Sequence, residues 1–299
     1  MALKESVKVD IYKLDIYKKL NKVSEGTDVS LVQLESLLDN AMYRVYYSDD
    51  GSIANKDNML DKFSGGGEGL TNYITYDEFD EMGFATKATI KNNIIPPAAF
   101  AGQVSLTECQ MIGEITSIGN NAFNECDSLA WTSLPSGVTT IGDQAFMYCG
   151  HLALTSLPDG LTSIGSNAFY SCKNLALTSL PDGITSIEEY AFLGCTNLAL
   201  TELPSGITSI GQQAFNKCTS LALTELPSGI TSIGSSAFHG CTNLTSITFK
   251  GKPNSISGST FEDCTNLVDI KVPWSNGAVY GAPWGADNAT ITYDYVPTV

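Results

Sequence analysis

Apolar positions recur with a period of 23 residues over most of the chain. One unit reads ALTSLPDGITSIEEYAFLGCTNL, and the unit before it, ALTSLPDGLTSIGSNAFYSCKNL, is nearly identical. In each unit an Ile is followed by Phe five residues later, by Cys three residues after the Phe and by Leu three residues after the Cys. Such self-similarity predicts a solenoid in which each unit buries its apolar face against its neighbours.

The same side chain should therefore stack on itself from one unit to the next. The Phe column consists of Phe123, Phe146, Phe169, Phe192, Phe215, Phe238 and Phe261, without an insertion between copies. One step further along the chain in each direction lie Phe100 and Trp284, within units that depart from the consensus. Because the ends of a solenoid must shield an open core, we expect caps at residues 95–111 and 272–295, with Trp284 closing the Phe column.

Three short elements are predicted within each unit. The segment TSLPDG is typical of a strand running into a turn, and ITSI at 184–187 is typical of a second short strand. The segment SNAFYSC predicts a short helical or 3₁₀ turn that directs Ala168, Phe169 and Cys172 to one side.

Residues 1–94 lack the repeat and predict a small α+β region. Alternation at Val7, Val9 and Ile11 fits either a strand or a short coiled segment. Other signals are two helical capping boxes, a strand entering an Asp-Gly turn and a Gly-rich linker, at Ser30–Gln33, Thr75–Glu78 with a stop near Gly83, 43–53 and 65–69. The predicted division is 1–64 for anchoring or assembly, 65–94 for linker and helical connector, and 95–299 for the solenoid.

The motif LTSIGxxAFxxCxxL, at 161–175, resembles the BspA-type (Treponema pallidum-type) leucine-rich repeat. The resemblance covers about 95–295 and implies a β-rich α/β solenoid with 23-residue units. It also implies that an apolar residue follows the column Leu by three, as Ile247 and Ile270 do. Five units place it two residues after instead, so we expect a bulge or local twist at Trp131, Leu154, Leu177, Leu200 and Leu223.

Two further segments resemble phage proteins. YITYDEFDEMGFAT is similar to connector segments near the N-termini of phage tail and fibre proteins. VPWSNGAVYGAPWGADNATITYDY is similar to the C-terminal cap of repeat proteins encoded by phages and prophages of gut bacteria. These resemblances imply a virion protein.

Charge and composition exclude some partners. The net charge is −16, so nucleic acid and anionic membrane surfaces are poor partners. No run of apolar residues is long enough to insert in a bilayer, and the first residues lack the pattern of a secretory signal. We therefore expect export by some route other than general secretion, such as release of a virion by lysis.

The eight cysteines predict core positions more than chemistry. Seven share one column and Cys109 lies in the predicted N-terminal cap. A fixed inward position is typical of a small buried hydrophobe, although stacked cysteines could also form a disulfide or hold a metal. Because the chain has no CxxC pair, we expect buried thiols without a disulfide or zinc.

Nothing in the chain indicates catalysis. His151 and His239 stand where other units carry small or polar residues, so we interpret them as exposed variants of a scaffold position. The segment SGGGEGL lacks the Lys-Ser/Thr of a phosphate loop, and adjacent Glu188 and Glu189 are typical of a solvated turn. We expect no catalytic, cofactor-binding or metal-binding residues and no enzyme activity.

Residues that vary on a constant scaffold are candidates for binding. Apolar side chains follow the Phe in three consecutive units, and one more precedes it, giving the candidate partner surface Met147, Tyr148, Tyr170, Tyr190 and Leu193. The alternative is tolerated surface variation.

Three functions follow. The first is a virion appendage, part of a tail, baseplate or capsid fibre, assembled in the host cytoplasm. Its N-terminal region would bind virion proteins, and its solenoid would bind a protein or cell-surface glycan of the bacterial host or decorate the particle. The second is a bacterial cell-surface adhesin, and the third is a cytoplasmic protein-binding scaffold. Homo-oligomerisation and the identity of the ligand are left open.

Overall fold

The computed structural model describes residues 7–8, 28–29, 74–80 and 82–296. The chain divides into two compact units, one formed by residues 1–92 and 105–112 and the other by residues 93–104 and 113–299. The predicted first capping-box helix, the strand at 43–53 and the Gly-rich linker lie outside the described residues.

The first unit is built from short strands. β1 (Val7–Lys8) pairs antiparallel with β2 (Asp28–Val29). A second sheet has the order β3-β4-β6, in which β3 (Ile74–Phe79) and β4 (Ala85–Ile90) are antiparallel and β6 (Glu108–Met111) runs parallel to β4. Buried Ile74, Ala88 and Ile90 form its apolar face.

The helix predicted from Thr75 and Glu78 is wrong, because both residues lie in strand β3. Ile, Tyr and Phe in this segment favour a pleated surface. The Asp80 carboxylate then accepts the amide of Met82 at 2.8 Å and of Phe84 at 3.0 Å, which closes a turn where a helix would have to continue. Gly83, expected to stop the helix, instead has φ +89° in the turn that joins β3 to β4.

The second unit is a β-solenoid with a repeat of 23 residues, as predicted. We call each repeat a coil and name it by its Phe. Parallel two-residue strands of successive coils pair in register, so that Ile187 faces Ile210 and Ile210 faces Ile233. One sheet contains β5 (Ile94–Ile95), β7 (Ser117–Ile118), β8 (Thr140–Ile141) and β9 (Ser163–Ile164), and a second contains β10 (Ser186–Ile187), β11 (Ser209–Ile210), β13 (Ser232–Ile233) and β15 (Ser255–Ile256).

A third sheet occurs only in the C-terminal coils. It contains β12 (Glu225–Leu226), β14 (Ser246–Phe249), β16 (Asp269–Lys271) and β17 (Thr290–Thr292). β14 and β16 contain Ile247 and Ile270, at the usual spacing from the column Leu. In the five coils with the shorter spacing the apolar residue lies outside any strand, so the expected bulged strand is replaced by an irregular segment.

The expected α component of the fold is wrong. The described residues contain no helix, and therefore none long and apolar enough to cross a membrane. The SNAFYSC segment is a series of turns whose amides alternate between two acceptors. In the Phe169 coil, the amides of Phe169 and Ser171 donate forward to the next coil at 2.9 and 2.7 Å, whereas those of Tyr170 and Cys172 donate back within their own coil at 3.1 Å each.

This alternation requires left-handed backbone at two positions per coil. They lie two residues before and two residues after the Phe, as at Asn167 (φ 57°) and Ser171 (φ 60°). Most occupants are not glycine, although the left-handed region costs an ordinary residue about 1–2 kcal/mol. The hydrogen bonds to the next coil hold the chain in this conformation.

The Phe side chains form one buried row, as predicted. Neighbouring rings from Phe100 to Phe261 stack with centroids 5.0 to 5.6 Å apart and planes within 2° to 11° of parallel. Trp284 is also fully buried, with its ring 6.0 Å from Phe249 and 6.4 Å from Trp274. An aromatic cluster therefore lies at the C-terminal end of the solenoid.

The Cys column hydrogen-bonds to the Phe column. The Cys195 thiol donates to the carbonyl of Phe169 at 2.9 Å, and the Cys172 amide donates to the same oxygen at 3.1 Å. The pattern recurs at all seven positions, with thiol distances of 2.9 to 3.1 Å. Burial raises the pKa of these thiols, that of Cys264 to about 11, so they stay protonated at neutral pH and suit a donor role.

Glu188 interrupts the sheet of two-residue strands. Other coils carry Gly at this position, and a Cβ on Gly211 would lie 2.6 Å from the backbone nitrogen of Glu189 in the preceding coil. Gly165 and Gly211 donate amide bonds of 2.9 and 2.7 Å to the preceding coil. Between the described Phe169 and Phe192 coils, the equivalent bond from Glu188 is absent, and strands β9 and β10 do not pair. Half-buried Glu188 instead accepts the Ser186 hydroxyl at 2.6 Å, so it is more than a solvated turn residue.

Phe192→Ala should lower the free energy of unfolding by about 3–5 kcal/mol, because it removes a ring from the middle of the row and leaves a cavity. Denaturant titration followed by circular dichroism would measure this. Tyr190→Ala is the control, since Tyr190 is only half-buried and should matter less. Equal losses would show that the ring row contributes no more than the surface.

Glu188→Gly should raise the free energy of unfolding by about 0.5–1.5 kcal/mol, because two backbone hydrogen bonds can form between β9 and β10 at the cost of glycine's chain entropy. Thermal or urea unfolding would measure the change. The matched control is Glu189→Gly, next to the interrupted position, which should give no gain. Destabilisation by Glu188→Gly would contradict the steric cause of the break.

Candidate binding groove

A groove of about 540 Å³ lies on the solenoid where the residues after the Phe leave each coil. Its walls come from four consecutive coils, with Val104 at one end and most residues from the Phe123, Phe146 and Phe169 coils. We call this feature the groove, and its lining consists of Val104, Glu125, Asp127, Tyr148, Gly150, His151, Ser171, Lys173 and Asn174.

These residues occupy positions two, four and five after the Phe. In the later coils, positions four and five carry Thr followed by Asn or Ser, as in CTNL. Those side chains bond the preceding coil, with the Thr219 hydroxyl donating to the Thr196 carbonyl at 3.2 Å and the Asn266 amide donating to the Thr242 carbonyl at 2.8 Å. In the groove the same positions carry Asp127–Ser128, Gly150–His151 and Lys173–Asn174.

Asp127 and Gly150 are matched to each other. The Asp127 carboxylate accepts the amide of Gly150 at 3.0 Å, and a Cβ on Gly150 would lie 2.6 Å from that carboxylate oxygen. His151 Nδ1 lies 2.8 Å from the Asp127 carbonyl and 3.7 Å from its carboxylate. Gly150 thus leaves space for a carboxylate in the groove wall, which the consensus Thr would take up.

Tyr148 contributes the exposed ring of the groove. The residue is 42% exposed, and its ring meets that of Tyr170 edge-on with centroids 5.2 Å apart. Partial desolvation, with smaller effects from Tyr170 and Glu125, raises the pKa of Tyr148. Tyr170 therefore supports Tyr148 in a fixed orientation.

Glu125 adds a second carboxylate. It is half-buried, and burial raises its pKa. Within the described part of the chain, its carboxylate receives no hydrogen bond and joins no ion pair. A carboxylate in this state is available to accept hydrogen bonds from a ligand.

Glycine is common at the second position after the Phe, as at Gly102, Gly194 and Gly240, where φ is positive. The groove coils instead carry Glu125, Tyr148 and Ser171, with φ of about 60°. Each accepts a conformation that glycine adopts without steric cost. Since Glu125 and Tyr148 lie half-buried or exposed rather than in the core, packing of the core does not account for them.

The residues predicted as a partner surface fall into three positions. Met147, Tyr170 and Leu193 form one half-buried column on consecutive coils, directly after the Phe. Tyr148 lies in the next column and in the groove. Tyr190 lies in the column before the Phe, where its hydroxyl accepts the Gln212 side-chain amide at 2.9 Å. Their role in binding stays a prediction.

Sequence reasoning missed the charged part of the groove at Glu125, Asp127 and Lys173. His151 was correctly placed at the surface, with its side chain 63% exposed, but it also lines the groove. His239, expected to be exposed, is only 23% exposed, and its Nε2 lies 3.3 Å from the Asp263 carboxylate. The available signal was the loss of the Thr-Asn consensus in three consecutive coils. Over the described residues no group of three or more His, Cys, Asp or Glu side chains could hold a metal.

The repeat matches a known family. The profile described as "BspA type Leucine rich repeat region" matches six copies, over residues 93–199 and 162–280. No curated protein matches the chain in sequence.

Solved structures are also similar. A leucine-rich repeat protein from Bacteroides ovatus is 23% identical, with coverage of 74% of this chain and 75% of that one and a TM-score of 0.42. A leucine-rich repeat protein of T. pallidum is 27% identical, with 69% and 85% covered and a TM-score of 0.36. The pneumococcal vaccine antigen PcpA is 17% identical, with 73% of each chain covered and a TM-score of 0.37. With such TM-scores, family membership rests on the repeat profile.

Lys217→Gly should raise the free energy of unfolding by about 0.5–1 kcal/mol, because Lys217 has φ 59° and glycine removes the steric cost. Tyr148→Gly should give a smaller gain or none, since it also loses the edge-on contact with Tyr170, worth about 0.5–1.5 kcal/mol. Urea unfolding of both variants would measure this. Destabilisation by Lys217→Gly would show that the left-handed position carries no steric cost.

Proposed function

Because the chain belongs to the BspA-type leucine-rich repeat family, we propose that it is a non-enzymatic binding protein that recognises its partner through the groove. The observation that carries the proposal is the coincidence of three changes in the same consecutive coils. The Thr-Asn bonds to the preceding coil are lost, Gly150 makes room for Asp127, and side chains replace glycine in the left-handed column.

The scaffold suits binding because the variable residues are held on rigid backbone. Below the groove, the rings of Phe123, Phe146 and Phe169 are stacked and fully buried. The amides of Glu125 and Tyr148 donate to the next coil at 2.7 and 2.8 Å, so these side chains start from backbone fixed on both sides. A ligand would find the groove largely preformed.

The finer setting we propose is a virion appendage. Its support is the resemblance of YITYDEFDEMGFAT and of the C-terminal cap to segments of phage proteins. In this setting residues 1–64 bind virion proteins, 65–94 connect, and the solenoid within 95–299 projects towards a bacterial surface. The same groove would serve a cell-surface adhesin.

The two settings differ in where the protein accumulates. In the organism that encodes the chain, mass spectrometry of purified phage particles should detect the protein in fixed proportion to a capsid protein. Detection on intact cells from a phage-free culture, with none in particles, would support the adhesin instead.

Gly150→Thr should reduce binding of the full-length protein to intact gut bacteria at least tenfold, because Thr displaces the Asp127 carboxylate and fills the groove. Flow cytometry of the fluorescently labelled protein against a panel of strains would measure it. Thr is the consensus residue at this position, so the fold should persist.

The matched control is Gly160→Thr, at a turn where an added Cβ would meet no atom within 4 Å. It should bind like the unchanged protein. Equal binding by all three proteins, or no binding by any of them, would contradict recognition through the groove.

A further inference from the structure

We propose that the groove binds the neutral, hydroxyl-rich sugar units of a glycan. This inference rests on the proposed function and names the ligand class of the same groove. It follows from the kind of surface that Tyr148 offers, from the polar groups around it, and from the balance of their charges.

Tyr148 offers an aromatic face within a polar surround. The other lining residues are charged, polar or small, except Val104 at one end. An aromatic ring of this kind can pack against the C–H face of a sugar while its hydroxyl stays solvated. The edge-on contact with Tyr170 limits its rotation, which lowers the entropy lost on binding.

The polar groups match hydroxyls, which donate and accept at once. Glu125 and Asp127 only accept hydrogen bonds, Lys173 only donates, and Ser171 and Asn174 do both. Acceptors and donors thus come from adjacent coils around one ring. Neighbouring hydroxyls on a sugar could bond both kinds, whereas a purely apolar ligand would leave these groups without partners.

The charges disfavour ionic ligands. An anionic ligand would approach Glu125 and Asp127 on a protein whose net charge is −16. A cationic ligand would lie against Lys173. A neutral ligand is bound without either repulsion.

The size of the groove favours part of a glycan over a folded protein. Sites for small organic ligands usually have volumes of about 300–1,000 Å³, and the groove, at about 540 Å³, lies within that range. A stable protein interface usually buries about 1,200–2,000 Å² around an apolar centre. In the groove that centre would consist of Tyr148 and Val104 alone.

The test uses the full-length protein and the bacterial strains that it binds. Mild periodate cleaves vicinal diols of sugars, whereas proteinase K removes surface proteins. We expect periodate treatment of the cells to reduce binding at least tenfold and proteinase K to leave it unchanged. Neutral hexose and N-acetylhexosamine oligosaccharides on an array should bind, and sialylated or free-amine counterparts should bind at least tenfold less.

Variants assign the effect to the groove. Tyr148→Ala should lower oligosaccharide binding at least tenfold, and Tyr190→Ala, outside the groove, should leave it unchanged. Circular dichroism would verify that both variants keep the fold. Binding to cells that survives periodate and is lost with proteinase K would overturn the glycan assignment while leaving the proposed binding function intact. Array binding restricted to charged glycans, or unaffected by Tyr148→Ala, would also overturn it.

Discussion

Alternating backbone hydrogen bonds in the turns hold this solenoid together. Every second amide around the Phe donates to the next coil at 2.7 to 3.0 Å, and the amides between them donate within the coil. Two-residue strands could not keep coils in register alone, because each coil contributes so few ladder bonds. The turns supply the missing bonds and require left-handed backbone at two positions, which fixes where side chains can vary.

The Phe row and the Cys column depend on this arrangement. Because the turns stack at constant spacing, identical rings lie face to face, and each thiol reaches the Phe carbonyl of the preceding coil. Serine would be more polar and alanine could not donate, so cysteine suits a small buried position next to an oxygen with a spare lone pair. A column that suggests redox or metal chemistry in the sequence is explained by packing and one weak hydrogen bond.

The fold could be predicted further than the groove. The 23-residue spacing of Phe169, Phe192 and Phe215 is enough to predict a stacked core, since it concerns which residues are buried. The turn around Ala168 was interpreted as helical because its apolar spacing fits a helix, and spacing does not reveal left-handed backbone. Glu188 and the pair of Asp127 with Gly150 were missed for another reason: their effect depends on which atoms of the adjacent coil lie within a few ångströms.

Each coil bonds only to its two neighbours, and all full coils have the same length. Unequal recombination within the gene could therefore insert or delete one whole coil and leave every remaining register intact. Since the groove belongs to coils before Glu188, such events after Glu188 would lengthen or shorten the protein without changing what it recognises. Reach and specificity can then evolve as separate traits.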